Sequence, residues 1–258
     1  MEKLFIENRH GNKLSVLVEQ PEIKAKGLAF VMHGLSAHKE QISKQAMVDV
    51  LLVHGYTTVR FDTTNTFGES DGDYAAATLT NYYEDLEDVI KWASDQKWYQ
   101  EPFLLAGRSL GSISIVLYTA NNPDKVKALV PTSCLVTGSV INERYKGASR
   151  EDWEASGWEI EPGFEKPDFI NRLDWENFST DLVKYDILPE AHKITQPVLL
   201  VTGANDLVAT PADQQAFHDK LQGDRELHVL ENCGHSFDEH FALEEFKKIL
   251  DTWLKKIK

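Results

Sequence analysis

The sequence is poor in cysteine, in positive charge and in long apolar runs, and each shortage excludes a class of protein. Only Cys134 and Cys233 occur in 258 residues. Two thiols cannot supply a disulfide scaffold or a cysteine-built zinc site, so both are expected to be buried and reduced, which suits the cytoplasm. Lys and Arg number 27 against 41 Asp and Glu, a formal net charge of −14. A surface that negative repels phosphate backbones and anionic lipids, which argues against nucleic-acid or membrane partners. No apolar run approaches the roughly 20 residues that span a bilayer. The first residues, Met1 to Arg9, contain no apolar core of signal-peptide length. The expectation is a soluble cytoplasmic protein, a monomer or homodimer.

What is present suits a packed core: 42% of residues are hydrophobic and 10% aromatic. The length fits one large α/β domain with a small insertion better than two independent domains. Short apolar or β-branched runs recur at Gly27 to Met32, Thr57 to Phe61, Phe103 to Ala106, Ala128 to Val130, Val198 to Val201 and Leu227 to Leu230. Such continuous runs predict strands covered on both faces. Leu14 to Val18 alternates instead and reads as an early antiparallel strand. Leu86, Val89, Ile90 and Ala93 keep helical spacing, with an Asn81…Glu84 capping box expected in front. Phe246, Ile249, Leu250, Trp253, Leu254 and Ile257 repeat that spacing near the C-terminus. Alternating strands and helices predict a mostly parallel sheet with helices on both faces.

One stretch breaks the rhythm. Between Cys134 and Glu190 lie 13 Asp and Glu against 6 Lys and Arg, half of the net negative charge. Trp153, Trp158, Phe164, Phe169, Trp175 and Phe178 crowd the same span. Residues 134–191 are therefore expected to form a small cap inserted into a core of residues 1–133 and 192–258. At least one of Trp153, Trp158 and Trp175 is expected to line a substrate pocket beneath it.

The chemistry centres on Gly107-Arg108-Ser109-Leu110-Gly111, a G-x-S-x-G segment with a buried strand before it and an apolar helix after it. The turn is tight enough to need small residues around Ser109. It lifts the serine hydroxyl above the sheet edge and aims a helix N-terminus at any oxyanion formed there. A serine nucleophile needs a base, and the base an orienting carboxylate. In this arrangement they follow in the order Ser, acid, His. Asp206 comes directly after the strand ending near Gly203, and His235 after the strand ending near Leu230. Asp186 and Asp224 are rival acids and His240 a rival base, each in a less suitable position. Met32-His33-Gly34-Leu35 closes another strand. Gly34 permits the bend that turns an N–H inward, so Leu35 and Leu110 are the expected oxyanion-hole donors. His33 is expected only to pack and hold that loop. Asp71 and Asp73 read as a solvated turn, and no metal or other cofactor is expected.

Together the elbow, His33-Gly34, Gly203…Asp206 and Gly234-His235 resemble the α/β-hydrolase family across essentially the whole chain outside the cap. His33-Gly34…His38-Lys39-Glu40 and Arg60-Phe61-Asp62…Gly68-Glu69-Ser70-Asp71-Gly72 resemble bacterial feruloyl and cinnamoyl esterases. The same motifs recur in serine-aminopeptidase-like and monoacylglycerol-lipase-like hydrolases. Phe67 stands where such enzymes commonly carry His, Arg108 replaces the common His before the nucleophile, and Ser112 replaces a glycine. The resemblance implies an eight-stranded α/β-hydrolase fold and a carboxylesterase acting on a small-molecule ester. Amide or thioester cleavage, or monoacylglycerol hydrolysis, by the same triad is the alternative. A non-catalytic receptor of this fold is the reading from another class. Ser109 excludes a dehalogenase or epoxide hydrolase, which needs a carboxylate there.

Overall fold

The computed structural model describes residues 1–142, 173–236 and 238–257. Its centre is an eight-stranded sheet of order β1-β2-β4-β3-β5-β6-β7-β8. The strands are β1 (Glu2–Glu7), β2 (Lys13–Glu19), β3 (Gly27–Met32), β4 (Tyr56–Phe61), β5 (Phe103–Arg108), β6 (Val126–Thr132), β7 (Val198–Gly203) and β8 (Arg225–Leu230). β2 is antiparallel to both β1 and β4, and every other pairing is parallel. β1 has no counterpart among the sequence-predicted strands. Its alternation is short, and as an edge strand it buries only Ile6 fully while Phe5 faces solvent.

The helices are α1 (Ile42–Val53), α2 (Leu79–Ala93), α3 (Leu110–Asn121), α4 (Trp175–Leu182), α5 (Pro211–Lys220) and α6 (His240–Leu254). Alternate residues of a strand point to opposite sheet faces, and the two cores divide accordingly. Leu28, Phe30, Met32, Phe103 and Leu105 join a core with α2, α3, α4 and α5. Ala29, Val31, Leu104 and Ala106 join the other, beneath α1 and α6. Double coverage is why these strands read as unbroken apolar runs. α2 begins three residues earlier than the Asn81 cap implies. Thr78 is its N-cap and accepts from the Asn81 N–H at 3.1 Å. Asn81 is thus inside the first turn, its side chain accepting from the Thr78 hydroxyl at 2.8 Å.

Of the span expected to form a cap, residues 143–172, with Trp153 and Trp158, lie outside the described residues. The flanking parts pack on the larger core: Cys134, Leu135, Val136, Ile141, Leu173, Phe178, Leu182, Ile187 and Ala191 are all buried in it. The two flanks also bind each other, with Gly138 N–H donating to Tyr185 O at 2.8 Å and Ile187 N–H to Val136 O at 3.0 Å. Asp181 accepts from the backbone N–H of Thr80 at 2.9 Å and from its hydroxyl at 2.6 Å. A carboxylate on the first turn of α2 satisfies a helix-terminal donor and opposes the helix dipole favourably. Trp175 opens α4 half-buried, its ring 5.8 Å from that of Phe178. No described helix is long and apolar enough to cross a membrane.

Candidate active site

β5 delivers Arg108 and then Ser109, which turns the chain into α3. Ser109 sits at φ 51°, ψ −116°, in the left-handed region a non-glycine residue seldom adopts. The flanking glycines are required by close approach. A Cβ on Gly107 would lie 2.7 Å from Gly111 O, and one on Gly111 would lie 2.5 Å from His33 O. Ser109 N–H donates to Thr132 O at 3.0 Å, tying the elbow to the end of β6.

His235 reaches this serine from the loop after β8. Its Nε2 is 2.9 Å from Ser109 Oγ, and its Nδ1 is 2.9 Å from Asp206 Oδ2. The other Asp206 oxygen accepts from the N–H groups of Val208 at 2.9 Å and Ala209 at 2.8 Å. Those two donors were not anticipated from sequence, although Asp ahead of a turn often receives a backbone N–H two residues on. Burial alone would raise the Asp206 pKa. The hydrogen bond and charge of His235 with these two N–H groups outweigh it, and the net shift is downward. Asp206 therefore stays ionised beside the imidazole. Side-chain exposure falls from 24% at His235 to none at Asp206, so the pair is shielded from water on its acidic side.

Close packing of the loops after β7 and β8 brings the acid and base together. A Cβ on Gly203 would lie 2.4 Å from both Cys233 O and Gly234 O. Asn205 N–H donates to Cys233 O at 2.8 Å. Asn232, at φ 58°, turns the chain before His235. The rivals are placed elsewhere. Asp186 accepts from its own turn at Leu188 N–H, 2.9 Å away. Asp224 precedes β8 at the opposite end of the sheet, and His240 is an exposed first residue of α6.

The loop after β3 lies against the elbow. The role expected for Gly34, freedom to bend, is corrected by the structure. Its backbone is not left-handed; Ser36, at φ 56°, makes the turn. What Gly34 provides is room, since its Cβ would lie 3.0 Å from Ser109 Cβ. The Gly34 carbonyl accepts from His33 Nδ1 at 2.7 Å and from the Tyr82 hydroxyl at 2.9 Å. His33 Nε2 accepts from Thr63 N–H at 3.1 Å, which places the ring proton on Nδ1. Burial lowers the His33 pKa to about 4 against the pull of Asp62, so the ring is neutral near pH 7. Across a trans peptide the carbonyl and the following N–H point opposite ways. Drawing Gly34 O into the core thus turns Leu35 N–H out of it. Neither Leu35 N–H nor Leu110 N–H has an acceptor among the described residues. Tyr82 was not singled out from sequence, though it extends the apolar spacing of α2 back by one turn.

The Arg60-Phe61-Asp62 and Gly68-Glu69-Ser70 motifs build a buried brace under this loop. Lys39 Nζ lies 2.7 Å from Asp62 and 2.7 Å from Glu69, and both Lys39 and Asp62 are buried. Arg60 pairs with Glu19 at 2.6 Å and donates to Lys39 O at 3.3 Å. A Cβ on Gly68 would fall 1.9 Å from Asp62 Cγ, so only glycine fits there. Ser36 Oγ pairs with the buried Tyr74 hydroxyl, whose ring stacks on Phe67 at 4.6 Å. Asp71 binds Lys13 N–H at 2.8 Å and pins the same segment to β2. Among the described residues no group of three or more His, Cys, Asp or Glu is arranged to hold a metal.

A mostly parallel eight-stranded sheet with these loops at its carboxyl edge defines an α/β hydrolase. Residues 23–149 and 172–238 match the family described as serine aminopeptidase, S33, and the chain belongs to that family. Est1E from Butyrivibrio proteoclasticus, solved with ferulic acid bound, superposes with a TM-score of 0.78 at 22% identity, covering 98% of each chain. The monoacylglycerol lipase of Paleococcus ferrophilus gives 0.69 at 19% identity, over 94% of this chain and 99% of its own. An uncharacterized 31.7 kDa Escherichia coli protein from the traX-finO intergenic region is 25% identical over 234 residues, 78% of this chain and 81% of its own.

Proposed function

We propose that this protein hydrolyses carboxylic esters of small molecules through an acyl-enzyme on Ser109. The observation that carries the proposal is the unbroken path from Ser109 Oγ to His235 Nε2 and from His235 Nδ1 to Asp206, 2.9 Å at each step. His235 takes the serine proton as Oγ attacks the ester carbonyl. The N–H groups of Leu35 and Leu110 bind the oxyanion, and α3 adds the positive end of its dipole. On collapse the C–O bond breaks and His235 returns the proton to the departing alcohol. A water then gives its proton to His235, attacks the acyl carbon and releases the acid with free Ser109. Asp206 holds the imidazole in one tautomer throughout and stabilises its charged form. No cofactor takes part in this cycle.

Residues 134–191 serve in this proposal as a cap over the serine, with at least one of Trp153, Trp158 and Trp175 against the substrate. Their excess of acidic side chains disfavours anionic substrates. The reading is accordingly a neutral ester with a short-to-medium or aromatic acyl group. Peptide or amide cleavage is the second reading, favoured by the family match to serine aminopeptidases. One preparation assayed on p-nitrophenyl esters, methyl hydroxycinnamates, a monoacylglycerol and aminoacyl nitroanilides separates the two. Ester turnover well above nitroanilide turnover supports the proposal. The reverse order replaces it with the aminopeptidase reading.

A further inference from the structure

The base is carried on a loop, and its bond to Asp206 restrains only one end of the imidazole. The His235 backbone is held separately. Its carbonyl accepts two hydrogen bonds, from Arg108 Nη2 at 3.0 Å and from Ser133 Oγ at 3.0 Å. Arg108 is the residue immediately before the nucleophile, and its side chain is only 8% exposed. Its Nη1 lies 3.4 Å from Ser43 Oγ on α1 and 3.8 Å from Asp238, three residues past the base. Ser133 follows β6 at φ 42°, another left-handed non-glycine residue, with its N–H donated to Val201 O at 2.8 Å. Such strain persists only where the surroundings over-determine it. Here it accompanies a hydroxyl bonded to the same carbonyl that Arg108 holds.

We propose that Arg108 and Ser133 are positioning residues that together set the reach of His235 toward Ser109; the inference rests on the triad reading above. Neither touches the reacting atoms. Their effect is geometric: one rigid side chain joins the backbone next to the nucleophile to the backbone of the base. The serine and imidazole therefore move as a unit when the loops shift. The guanidinium suits this task because it is charged at every working pH and presents several donors in a fixed plane. Loss of the clamp lets the imidazole drift from its line to Ser109 without altering any group that meets the substrate. The loss should therefore appear in kcat and not in KM. This assigns a role to the arginine that stands where resembling enzymes commonly carry histidine.

The test compares Arg108→Met, Arg108→Lys, Ser133→Ala and Ser109→Ala in the full-length chain. The measurements are p-nitrophenyl butyrate kinetics and the rate at which a fluorophosphonate labels Ser109. Arg108→Met should lower kcat by about 10- to 100-fold, the scale of a misplacement of about 1 Å, with KM changed less than threefold. Labelling should slow in parallel, because it too depends on His235 activating the serine. Arg108→Lys, which can restore one of the bonds, should recover part of the loss. Ser133→Ala removes one neutral donor and should cost about 3- to 10-fold in kcat. It also provides the decisive reading if Arg108→Met fails to fold. Ser133→Ala at wild-type kcat, or Arg108→Met within twofold of wild type, overturns the inference while an inactive Ser109→Ala leaves the triad standing. An active Ser109→Ala overturns the triad reading itself.

Discussion

Replacing Gly34 by alanine adds one methyl group at a close approach between the loop after β3 and the elbow. That carbon would lie 3.0 Å from Ser109 Cβ, 3.3 Å from Arg108 O and 3.6 Å from Ser109 Oγ. Carbon atoms settle at about 3.5–4.0 Å, so the first contact is short by roughly half an ångström. Neither side has an easy way to yield. Ser109 is tied by its N–H to Thr132 O at 3.0 Å, and Gly34 O is held by His33 at 2.7 Å and Tyr82 at 2.9 Å. The strain must then move the Leu35 N–H or the Ser109 hydroxyl. Displacement of about 1 Å costs about 100-fold, so half of that should lower kcat by roughly tenfold. Overpacking should also cost about 1–3 kcal/mol of stability, a Tm loss of several degrees in a chain of this size. The assay is kcat and KM on p-nitrophenyl butyrate at 20 °C, with Tm on the same samples. A folded Gly34→Ala protein with kcat within twofold of wild type would refute the packing argument.

Asp206→Asn should lower kcat by about 10⁴-fold with little change in KM, because the wrong imidazole tautomer is then favoured; Asp186→Asn should leave kcat unchanged, and the reverse pattern would move the acid. Lys39→Met leaves the Asp62 carboxylate buried without its cation, and removing one partner of such a pair costs about 3–5 kcal/mol; a fall in Tm below about 5 °C would show that the brace contributes little. Asp85 is buried while accepting from Asn8 at 2.8 Å and from Thr64 N–H at 2.6 Å, and burial, opposed by these bonds, raises its pKa to about 6. A raised carboxylate pKa means the folded state binds more protons than the unfolded one between about pH 4 and 6, so this group removes stability as pH rises through that window and no more above it. Urea titrations from pH 4 to 7 should show wild type losing stability relative to Asp85→Asn across that window; parallel curves would contradict the shift.

The features legible in the sequence were those governed by local pattern. Strands β3 to β7 are buried on both faces and announce themselves as apolar runs, and the elbow is a fixed spacing of glycines around one serine. Asp206 and His235 could be placed because each follows such a run directly. β1 escaped notice because an edge strand with one buried side chain carries almost no pattern. The roles of Gly34, Tyr82 and Lys39 depend on which side chain approaches from another element. Gly34 faces Ser109, 75 positions later in the chain, and no window of sequence contains both. The acceptor of the Arg108 guanidinium, a backbone carbonyl, was invisible for the same reason.

The most direct test of the account is turnover of p-nitrophenyl butyrate by wild type and by Ser109→Ala, with intact-mass detection of the acyl adduct during wild-type turnover. The account expects an adduct of butyryl mass on Ser109 in the wild type, none in the variant, and a loss in kcat on the order of 10⁴–10⁶. A folded Ser109→Ala protein that keeps more than a tenth of wild-type turnover would contradict it.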